Sequence, residues 1–573
     1  MKMTRNLQEL AKYHYDLIVI GGGIYGAWAA WDAALRGLSV ALVEKSDFAG
    51  ATSANSLKII HGGLRYLQHG DIRRMRESIR ERMILMKVAP HLVHPLPCLL
   101  PTYGHGLKGK EALSIALFLN DLVSFDRNSL NDPQKYIPKG RIISREETLQ
   151  LLPGIDPKGL TGGAVWYDCQ IYNSERLIFS LLAGAVARGA RIANYAPVVD
   201  FLRDEKSIIG VRIRDVWSGR THTIRGRVIL NTAGPWLGEV IRLANPKASL
   251  PELQFCRAIN LILQRQPMHS FAVGIPAKMQ YRDRDSILNK GTRFLFMTPW
   301  RHYTLIGTEY LLHQGSADQA AITREELLAF LEEFNQAYPG IKFREEDIAS
   351  YHLGLVPMDP GAEDPSQINL TKHYRIIDHE HTDGLQGLVS VLSVKYTTAR
   401  HVTGRAVDLV SRKLKRRTRC HTEDTPIPGG QIERFGEYVQ EEIAKRPWGL
   451  EASEVRHLIY NYGQNYTEIL HYIEEDVKWR ERVTPDQEVL WAEVVHAVRE
   501  EMAYTLLDVV RRRTELGSAG CPGRQTLEAI ARVMGKELGW GEEQRKQEVE
   551  KTLRFYHLST KHQTSGHPVP SNH

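Results

Sequence analysis

The chain has 573 residues, of which 42% are hydrophobic and 25% charged, as in a soluble globular protein. This length exceeds what one hydrophobic core usually serves, so we expect two or three domains. The net charge of +7 suits an anionic cofactor, an acidic substrate or an anionic membrane surface, but it is too small to indicate a nucleic-acid partner.

The cysteines and the apolar runs bear on metal binding and location. Five widely spaced cysteines match no zinc or iron–sulfur motif, so we expect no metal site. Their odd number favours free thiols in a reducing compartment. No apolar run approaches the roughly 20 residues that a spanning helix needs. These features predict a cytoplasmic protein that is either soluble or peripheral on the inner face of the membrane.

The first elements in the chain predict a βαβ unit. Residues 15–20 are apolar and β-branched, which indicates a buried parallel strand, and residues 39–44 indicate a second strand. A glycine-rich turn and a helix that continues to Arg36 lie between them. This strand–helix–strand order is the first half of a Rossmann-like domain.

The glycine-rich turn reads Gly21-Gly22-Gly23-Ile24-Tyr25-Gly26 and predicts a dinucleotide site. Gly21, Gly23 and Gly26 would permit a tight turn and bring backbone N–H groups to a pyrophosphate at the helix N-terminus. Glu44 ends the next strand and could accept the ribose hydroxyls. The turn alone leaves NAD, or a purely structural role, as alternatives to FAD.

Two later segments favour FAD. The first, within residues 50–67, is polar and glycine-rich and could line the ribityl chain and the edge of the isoalloxazine ring. The second ends a strand as Asn231-Thr232-Ala233-Gly234-Pro235-Trp236, where a glycine would let the chain pass close to the cofactor. The cofactor contacts predicted from these segments are Thr52, Ser53, Ser56, Lys58, His61, Gly63, Ala233 and Gly234.

The middle of the chain predicts an antiparallel domain. Short alternating runs, such as residues 258–264 and 303–308, indicate strands, and a helical pattern interrupts them near residues 323–337. Beyond a basic run at residues 412–419, the chain becomes helical, and the apolar spacing within residues 493–514 predicts a helix with one buried face.

We therefore predict an α/β + α fold, in which a Rossmann-like FAD-binding domain is joined by an antiparallel-sheet substrate domain and a C-terminal helical cap. The predicted parts are residues 1–80, 160–240 and 385–410 for the FAD-binding domain, residues 81–159 and 241–384 for the substrate domain, and residues 425–560 for the cap.

Several longer motifs support a family assignment: DLIVIGGGIYGAWAAWDAALRGLSVALVEKSDFAGATSANSLKIIHGGLRYL, WYDCQIYNSERL, NTAGPW, TPWRHYTLIGT, VKYTTAR and AEVVHAVREEMAYTLLDVVRRRTEL. They resemble the FAD-dependent glycerol-3-phosphate dehydrogenase family, within the D-amino-acid-oxidase-like superfamily, over nearly the whole chain. The resemblance implies an FAD-dependent dehydrogenase or oxidase that oxidises a small polar or anionic CH–OH substrate. It also implies quinone or oxygen as the electron acceptor.

The resemblance further implies a cationic substrate site, and two of the family's cations are present. Arg65 precedes Tyr66, and Lys395 lies two residues before Thr397. These four residues are expected to bind substrate, and Lys395 and Thr397 are also expected to contact the cofactor. The predicted catalytic residues are Arg65, Lys395 and His61. His61 could accept the hydroxyl proton or only contact the flavin.

Two further substrate positions depart from the family pattern. Val356 replaces an arginine and Asn260 replaces a histidine, and both are expected to line the site. Valine cannot bind a phosphate dianion in the forked geometry of arginine, so glycerol 3-phosphate is expected to be a poor substrate unless another cation compensates. The candidates for that cation are His352, Lys372 and Arg375.

Three functions therefore stay open on the sequence. The first is a dehydrogenase of the glycerol-3-phosphate type. The second is a flavin oxidase or dehydrogenase of a non-phosphorylated hydroxy acid or amine, and the third is a flavin protein without turnover. Residues 412–419 suit either a solvated stretch or a contact with anionic lipid, and a homodimer is a further open partner prediction.

Overall fold

The structure is a computed structural model, and it describes residues 2–106, 109–247, 253–268, 270–280, 292–359 and 368–557. Its strands, in chain order, are β1 His14–Ile20, β2 Val40–Val43, β3 Ile59–Ile60, β4 Val93–Tyr103, β5 Arg141–Ile143, β6 Leu160–Ile171, β7 Arg191–Ala193, β8 Val198–Asp204, β9 Ser207–Arg214, β10 Thr221–Asn231, β11 Gln254–Leu263, β12 Ala272–Gln280, β13 Thr292–Trp300, β14 Tyr303–Leu312, β15 Ile348–Met358, β16 Arg375–Asp378 and β17 Leu388–Leu392.

The α-helices of the described residues, in chain order, are α1 Leu7–Ala11, α2 Ile24–Leu35, α3 Ile72–Val88, α4 Lys110–Val123, α5 Arg145–Leu151, α6 Ser174–Ala187, α7 Leu237–Ala244, α8 Arg324–Ala337, α9 His379–Asp383, α10 Ala399–Lys413, α11 Phe435–Lys445, α12 Ala452–Tyr462, α13 Tyr466–Glu475, α14 Trp491–Arg499, α15 Leu506–Asp508, α16 Arg524–Leu538 and α17 Glu542–Tyr556. A π-helical turn, Val509–Arg513, continues α15.

The first sheet has the order β16-β17-β10-β1-β2-β7, with β8 and β9 added beside β10. Strands β17, β10, β1, β2 and β7 run parallel, which places their carboxyl ends at one edge. Strand β1 is buried from its second residue onward, as expected for a central strand covered on both faces. Helix α2 packs against α6 and α10 on one face of the sheet.

The second sheet has the order β15-β11-β14-β13-β12-β4-β6-β3, and β5 pairs with β6. Most of its ladders are antiparallel, although β12 and β4 are parallel. Helix α8 covers one face through Leu327, Phe330 and Phe334, which are buried in a core with residues of β11, β12 and β13. The opposite face of the second sheet can therefore face the first sheet.

Helices α11–α17 form a C-terminal unit with two apolar clusters of its own. Buried ion pairs fasten this unit to the first part of the chain. Arg176 of α6 donates to both oxygens of Glu501 at 2.7 and 2.6 Å, and Arg513 binds Asp47 from the turn after β2. The α/β + α architecture, with two sheets and a C-terminal helical cap, is confirmed.

The sheet assignments place some boundaries differently from the sequence prediction. Strand β6 was assigned to the FAD-binding domain but lies in the second sheet, because it forms a long ladder with β4. Strand β16 was assigned to the substrate domain but lies at the edge of the first sheet, paired with β17. Hydrophobic patterning identifies a strand, but it does not identify the sheet that the strand joins.

The continuous helix predicted within residues 493–514 is interrupted. Helix α14 ends at Arg499, Met502 has a φ of 57°, and a new helical segment starts at Leu506. The apolar positions are nevertheless buried, with Met502 1% and Leu506 0% exposed. Among the described residues, no helix combines the length and the apolarity required to cross a bilayer.

Candidate active site

A large cavity of about 1320 Å³ lies between the two sheets. It extends from Glu44 and the glycine turn to Asn260 and Val356 of the second sheet. Cavities for drug-sized ligands usually occupy roughly 300–1,000 Å³, so this one has room for a dinucleotide and a second small molecule. The carboxyl ends of β1, β2 and β10 open onto it, as expected for a ligand site in a parallel sheet.

The glycine turn forms one end of the cavity. Gly21 has a φ of 102°, and Gly23 is the N-cap of α2, so the N-terminal end of this helix faces the cavity. Gly26 does not line the cavity but allows α2 to approach β1, since a Cβ there would lie 1.8 Å from the carbonyl oxygen of Gly21. This arrangement suits a pyrophosphate at the helix N-terminus.

Glu44 is held beside the turn. Its Oε2 accepts a hydrogen bond from the N–H of Gly22 at 2.7 Å, and its Oε1 accepts one from the N–H of Ser46 at 2.9 Å. The carboxylate lines the cavity, where it can accept hydroxyl groups of a ribose. On the neighbouring strand end, Ala233 and Gly234 also line the cavity, and Gly234 has a φ of 54°.

The segment after Glu44 brings the two sheets together. Ser53 lines the cavity and accepts a hydrogen bond from the N–H of Ile24 at 3.0 Å, which caps α2. Thr52 donates to the carbonyl oxygen of Leu355 and accepts from its N–H, both at 3.1 Å, which fixes this loop to β15. Ser56, His61 and Gly63 line the cavity further along the segment.

Lys58 was predicted to contact the cofactor, but the structure turns its side chain away from the cavity. Its Nζ donates to the carbonyl oxygen of Ala54, to Ser174 Oγ and to Glu175 Oε2 at 2.8, 2.7 and 2.9 Å. The side chain is completely buried, and burial lowers the pKa of Lys58 although Glu175 opposes that shift. Lys58 therefore secures the loop to the start of α6.

At the opposite end, the predicted catalytic residues come together. The N–H of His61 donates to Thr397 Oγ1 at 3.2 Å, and the His61 side chain is 56% exposed toward the cavity. Lys395 Nζ lies 4.0 Å from the ring centre of Tyr66. Burial lowers the pKa of Lys395 to about 7, and the charge of Arg74 adds to this effect.

Arg65 follows the same loop and lines the cavity with an exposed side chain. Among the described residues, neither Arg65 nor Lys395 forms an ion pair with a carboxylate. Burial raises the pKa of Tyr310, while the charges of Arg65 and Arg293 lower it, so both guanidinium groups act on this phenol. Asp71 and Glu77 act on Lys395 only through their longer-range charge, which partly offsets the effect of burial on its pKa.

The two positions that depart from the family pattern lie on neighbouring strands of the second sheet. Asn260 of β11 is buried, and its Oδ1 accepts a hydrogen bond from Thr308 Oγ1 at 2.8 Å. Val356 of β15 is half-buried and lines the cavity. The predicted positions therefore surround one space, with Val356 giving it an apolar wall.

The three proposed replacements for the missing arginine have different surroundings. His352 is buried and donates to the carbonyl oxygen of Ser56, and burial keeps its pKa well below the ordinary value, so it is neutral. Arg375 is exposed on the edge strand β16 and does not line the cavity. Lys372 does line it.

Three charged residues of the site were missed by sequence reasoning. Arg74 of α3 lies 4.6 Å from the Tyr66 ring, and Arg293 of β13 donates to Glu309 Oε2 at 2.6 Å and to the carbonyl oxygen of Thr308. Asp168 of β6 lies 3.7 Å from His61 Nδ1. Asp168 belongs to the motif WYDCQIYNSERL, but it lies 107 positions after His61 in the chain, and no spacing rule identifies a partner at that distance.

Comparisons with known proteins agree with this geometry. The family described as FAD dependent oxidoreductase matches residues 16–384, and the family described as C-terminal domain of alpha-glycerophosphate oxidase matches residues 420–545. A glycerol-3-phosphate dehydrogenase of Synechocystis sp. is 33% identical over 564 residues, covering 96% of this chain and 97% of its own. An aerobic glycerol-3-phosphate dehydrogenase of Staphylococcus haemolyticus is 29% identical and covers 95% of this chain and 94% of its own.

Solved structures add to these matches. The glycerol-3-phosphate dehydrogenase from Bacillus halodurans complexed with FAD has a TM-score of 0.76 at 26% identity, with 97% of each chain covered. The L-alpha-glycerophosphate oxidase from Mycoplasma pneumoniae with FAD bound shares the fold, with a TM-score of 0.51 at 17% identity over 73% of this chain and 99% of its own. The chain therefore belongs to the FAD-dependent glycerol-3-phosphate dehydrogenase family and is an FAD-dependent oxidoreductase.

Proposed function

We propose that the enzyme oxidises the secondary hydroxyl of sn-glycerol 3-phosphate to the ketone of dihydroxyacetone phosphate. The observation that supports this best is that Arg65 and Lys395 line the same cavity as His61 and, among the described residues, form no ion pair with a carboxylate. An anionic group can displace their water and form charge-assisted hydrogen bonds. A phosphate placed there leaves the carbon chain near His61.

The alternative of a non-phosphorylated hydroxy acid or amine is not favoured by the full-length relatives. The argument for this alternative is that Val356 stands where the family has an arginine. The cavity also contains Arg74 and Arg293, which the sequence did not place there. Arg293 is paired with Glu309 and Arg74 lies 3.4 Å from Asp71, so their charges are partly compensated, but a missing arginine at Val356 still leaves cationic groups in the site.

The residues of the chain have separate tasks in this proposal. FAD, when bound, accepts the hydride that leaves the carbon bearing the hydroxyl group. His61 accepts the hydroxyl proton, and Arg65 and Lys395 orient the substrate through its anionic end. Thr397 holds the backbone of His61 in place through its hydroxyl group. The apolar side chain of Val356 excludes water from the opposite wall.

Rapid mixing tests this proposal with the purified holoenzyme. We expect glycerol 3-phosphate to bleach the flavin band near ~450 nm, and glycerol to bleach it far more slowly. Arg65→Met should raise KM about 10–100-fold, because a charge-assisted contact is lost. Arg188→Met, an exposed arginine at the end of α6, is the matched control and should leave KM unchanged. Equal bleaching by both alcohols would contradict the proposal.

We further propose that the reduced enzyme passes its electrons to a quinone or to oxygen, and that it docks on a membrane surface. Helix α4 and the turn after it expose an apolar face, with Ile115 63%, Phe118 69%, Leu122 62% and Phe125 80% accessible. Their spacing of three to four residues places them on one side. Such a patch, on a protein with a net charge of +7, suits an anionic bilayer.

Vesicle flotation tests the docking surface. Wild-type enzyme should float with vesicles that contain phosphatidylglycerol, and the double variant Phe118→Ser, Leu122→Ser should stay in the soluble fraction. Phe555→Ser, on α17 and 49% exposed, is the control and should float as the wild type does. If the wild type does not float but forms a homodimer that the double variant dissociates, the face binds a second copy instead.

A further inference from the structure

The carboxylate of Asp168 lies directly across a ladder from His61. Strand β3 pairs with β6 so that Ile60 opposes Cys169 and Ile59 opposes Gln170. His61, the next residue after β3, therefore opposes Asp168, and its Nδ1 lies 3.7 Å from Asp168 Oδ2. The backbone pairing, and not a flexible loop, sets the distance between the two side chains.

Three donors fix the orientation of this carboxylate. The N–H of Gly62 donates to Oδ1 at 2.5 Å, Arg82 donates to Oδ1 at 3.2 Å, and Trp166 Nε1 donates to Oδ2 at 3.3 Å. A Cβ at Gly62 would lie 2.2 Å from the Arg82 guanidinium, so a larger residue would displace this donor. Burial opposes ionisation, but His61 and Arg82 together hold the pKa of Asp168 below its ordinary value.

The two nitrogens of His61 thus have different surroundings. Nδ1 faces a buried carboxylate, whereas the imidazole is more than half exposed toward the cavity. At 3.7 Å the pair is within ion-pair distance but longer than a hydrogen bond, so a small rotation of the imidazole would let Nδ1 donate to the carboxylate. That donation keeps Nε2 free of its proton and ready to accept one. The positive imidazolium formed afterwards is stabilised by the same carboxylate.

We propose that Asp168 is a positioning residue for the oxidation: it fixes the tautomer and orientation of His61 and stabilises the charge that His61 gains when it accepts the substrate's hydroxyl proton. The proton moves from the substrate oxygen to Nε2, and Asp168 stays ionised throughout. This inference rests on the proposed function, because it requires that His61 takes the proton.

Other charged groups surround the pair. Arg82 of α3 faces Asp168 from behind, and the buried thiols of Cys98 and Cys169 lie next to it with pKa values raised by burial. Arg65, Arg74, Arg293 and Lys395 line the same cavity as His61, with Glu309 beside Arg293. Among the described carboxylates, Asp168 is the one within ion-pair distance of the His61 imidazole.

The variant Asp168→Asn tests the inference by the pH dependence of kcat/KM for glycerol 3-phosphate. The amide keeps an acceptor for Gly62 and Arg82 but removes the negative charge. We expect kcat to fall about 10–100-fold, KM to change little, and the acid limb of the profile to move to lower pH, because the imidazole is then harder to protonate. An unmoved limb would overturn the inference.

A double-mutant cycle separates positioning from structure. If Asp168 acts only through His61, then Asp168→Asn should have no further effect on kcat in a His61→Asn enzyme. Independent, multiplying losses would show a structural role and overturn the inference. If His61→Asn alone keeps the wild-type kcat, the proposed role of His61 fails as well. A wild type that glycerol 3-phosphate does not reduce would instead overturn the proposed function.

A second variant keeps the inference testable if Asp168→Asn does not retain FAD. Trp166→Phe removes the indole donor from Oδ2 and leaves no charge unpaired. The carboxylate then interacts more strongly with His61, so the acid limb should move to higher pH. A limb that stays in place or moves to lower pH would overturn the inference.

Discussion

At the scale of single residues, we propose that other cations of the site compensate for the arginine that Val356 replaces. Val356 gives the cavity an apolar wall, yet Arg65, Arg74, Arg293 and Lys395 still line it. Long-range attraction of a dianion depends on the total charge around the site more than on any one side chain. Sequence spacing alone does not place Arg74 and Arg293 at the cavity, so the sequence could not predict their contribution.

The variant Val356→Arg should therefore improve binding without being essential. We expect KM for glycerol 3-phosphate to fall by up to about tenfold, with kcat unchanged, because the new cation contacts substrate and transition state alike. Steady-state assays with an artificial acceptor measure both constants. Val216→Arg adds the same charge at an exposed turn and should change neither. An unchanged KM in Val356→Arg would mean that other residues define the phosphate contact.

The lowered pKa of Lys395 leads us to expect that substrate binding depends on pH. Its pKa is lowered by burial to about 7, so the ammonium form that attracts an anion is lost as the pH rises through that value. We expect KM to rise between about pH 7 and about pH 9, where the substrate phosphate is already a dianion. Lys395→Arg should flatten this rise, because a guanidinium stays charged. A steep rise that persists in Lys395→Arg would assign the effect to another group.

Position 26 requires glycine because helix α2 packs closely against the glycine turn, not because the backbone there must be flexible. A Cβ at this position would lie 1.8 Å from the Gly21 carbonyl oxygen, so Gly26→Ala must push α2 away from the turn. We expect the purified variant to lack FAD absorbance near ~450 nm. Gly541→Ala, where nothing lies within 4 Å of the added Cβ, should purify yellow. A yellow Gly26→Ala protein would contradict this role.

At the scale of elements, the strands and helices of the cofactor site could be predicted from the sequence. Residues 15–20 and 39–44 were predicted as strands where β1 and β2 lie, and the turn between them forms the end of the cavity. These elements are local, and their glycine spacing and apolar runs specify them. The prediction was less accurate for β6 and β16, whose sheet depends on distant partners.

Two features could not be predicted because their causes lie far along the chain. Asp168 meets His61 through the β3–β6 ladder, and Arg293 reaches the cavity from β13. The break after α14 has a tertiary cause as well: Glu501 must reach Arg176, and the carbonyl oxygens of Glu501 and Met502 accept hydrogen bonds from Arg513. Periodicity reported the burial of this segment correctly but not its interruption.

The π-helical turn Val509–Arg513 supplies the ion pairs of the cofactor loop. Arg512 and Arg513 both bind Asp47, which lies three residues after Glu44 and lines the cavity. Arg513 is completely buried, so its removal leaves a buried carboxylate less well compensated. We expect Arg513→Met to lower the free energy of unfolding by about 3–5 kcal/mol and to weaken FAD binding.

Denaturant unfolding and flavin fluorescence measure these two effects. Arg524→Met, which removes an exposed pair with Glu550 in the same C-terminal unit, is the matched control and should change neither quantity. A wild-type stability in Arg513→Met would show that Arg512 alone compensates Asp47.

At the scale of the whole molecule, the N-terminal segment is in direct contact with the C-terminal helical unit. The N–H of Met3 donates to the carbonyl oxygen of Glu500, and Arg176 binds Glu501, so the first and last parts of the described chain share contacts. The C-terminal helices therefore support the cofactor loop through Asp47, although none of their described residues lines the cavity.

The Asp47–Arg513 pair also has a consequence for the order of events during synthesis. The two residues are 466 positions apart, and a ribosome that adds about 5–20 residues per second needs roughly 25–90 s to cover that distance. The glycine turn and Glu44 are synthesised early, whereas Arg512 and Arg513, which pair with Asp47, are synthesised only near the end of the chain. We therefore expect tight capture of the flavin to follow the synthesis of Arg512 and Arg513.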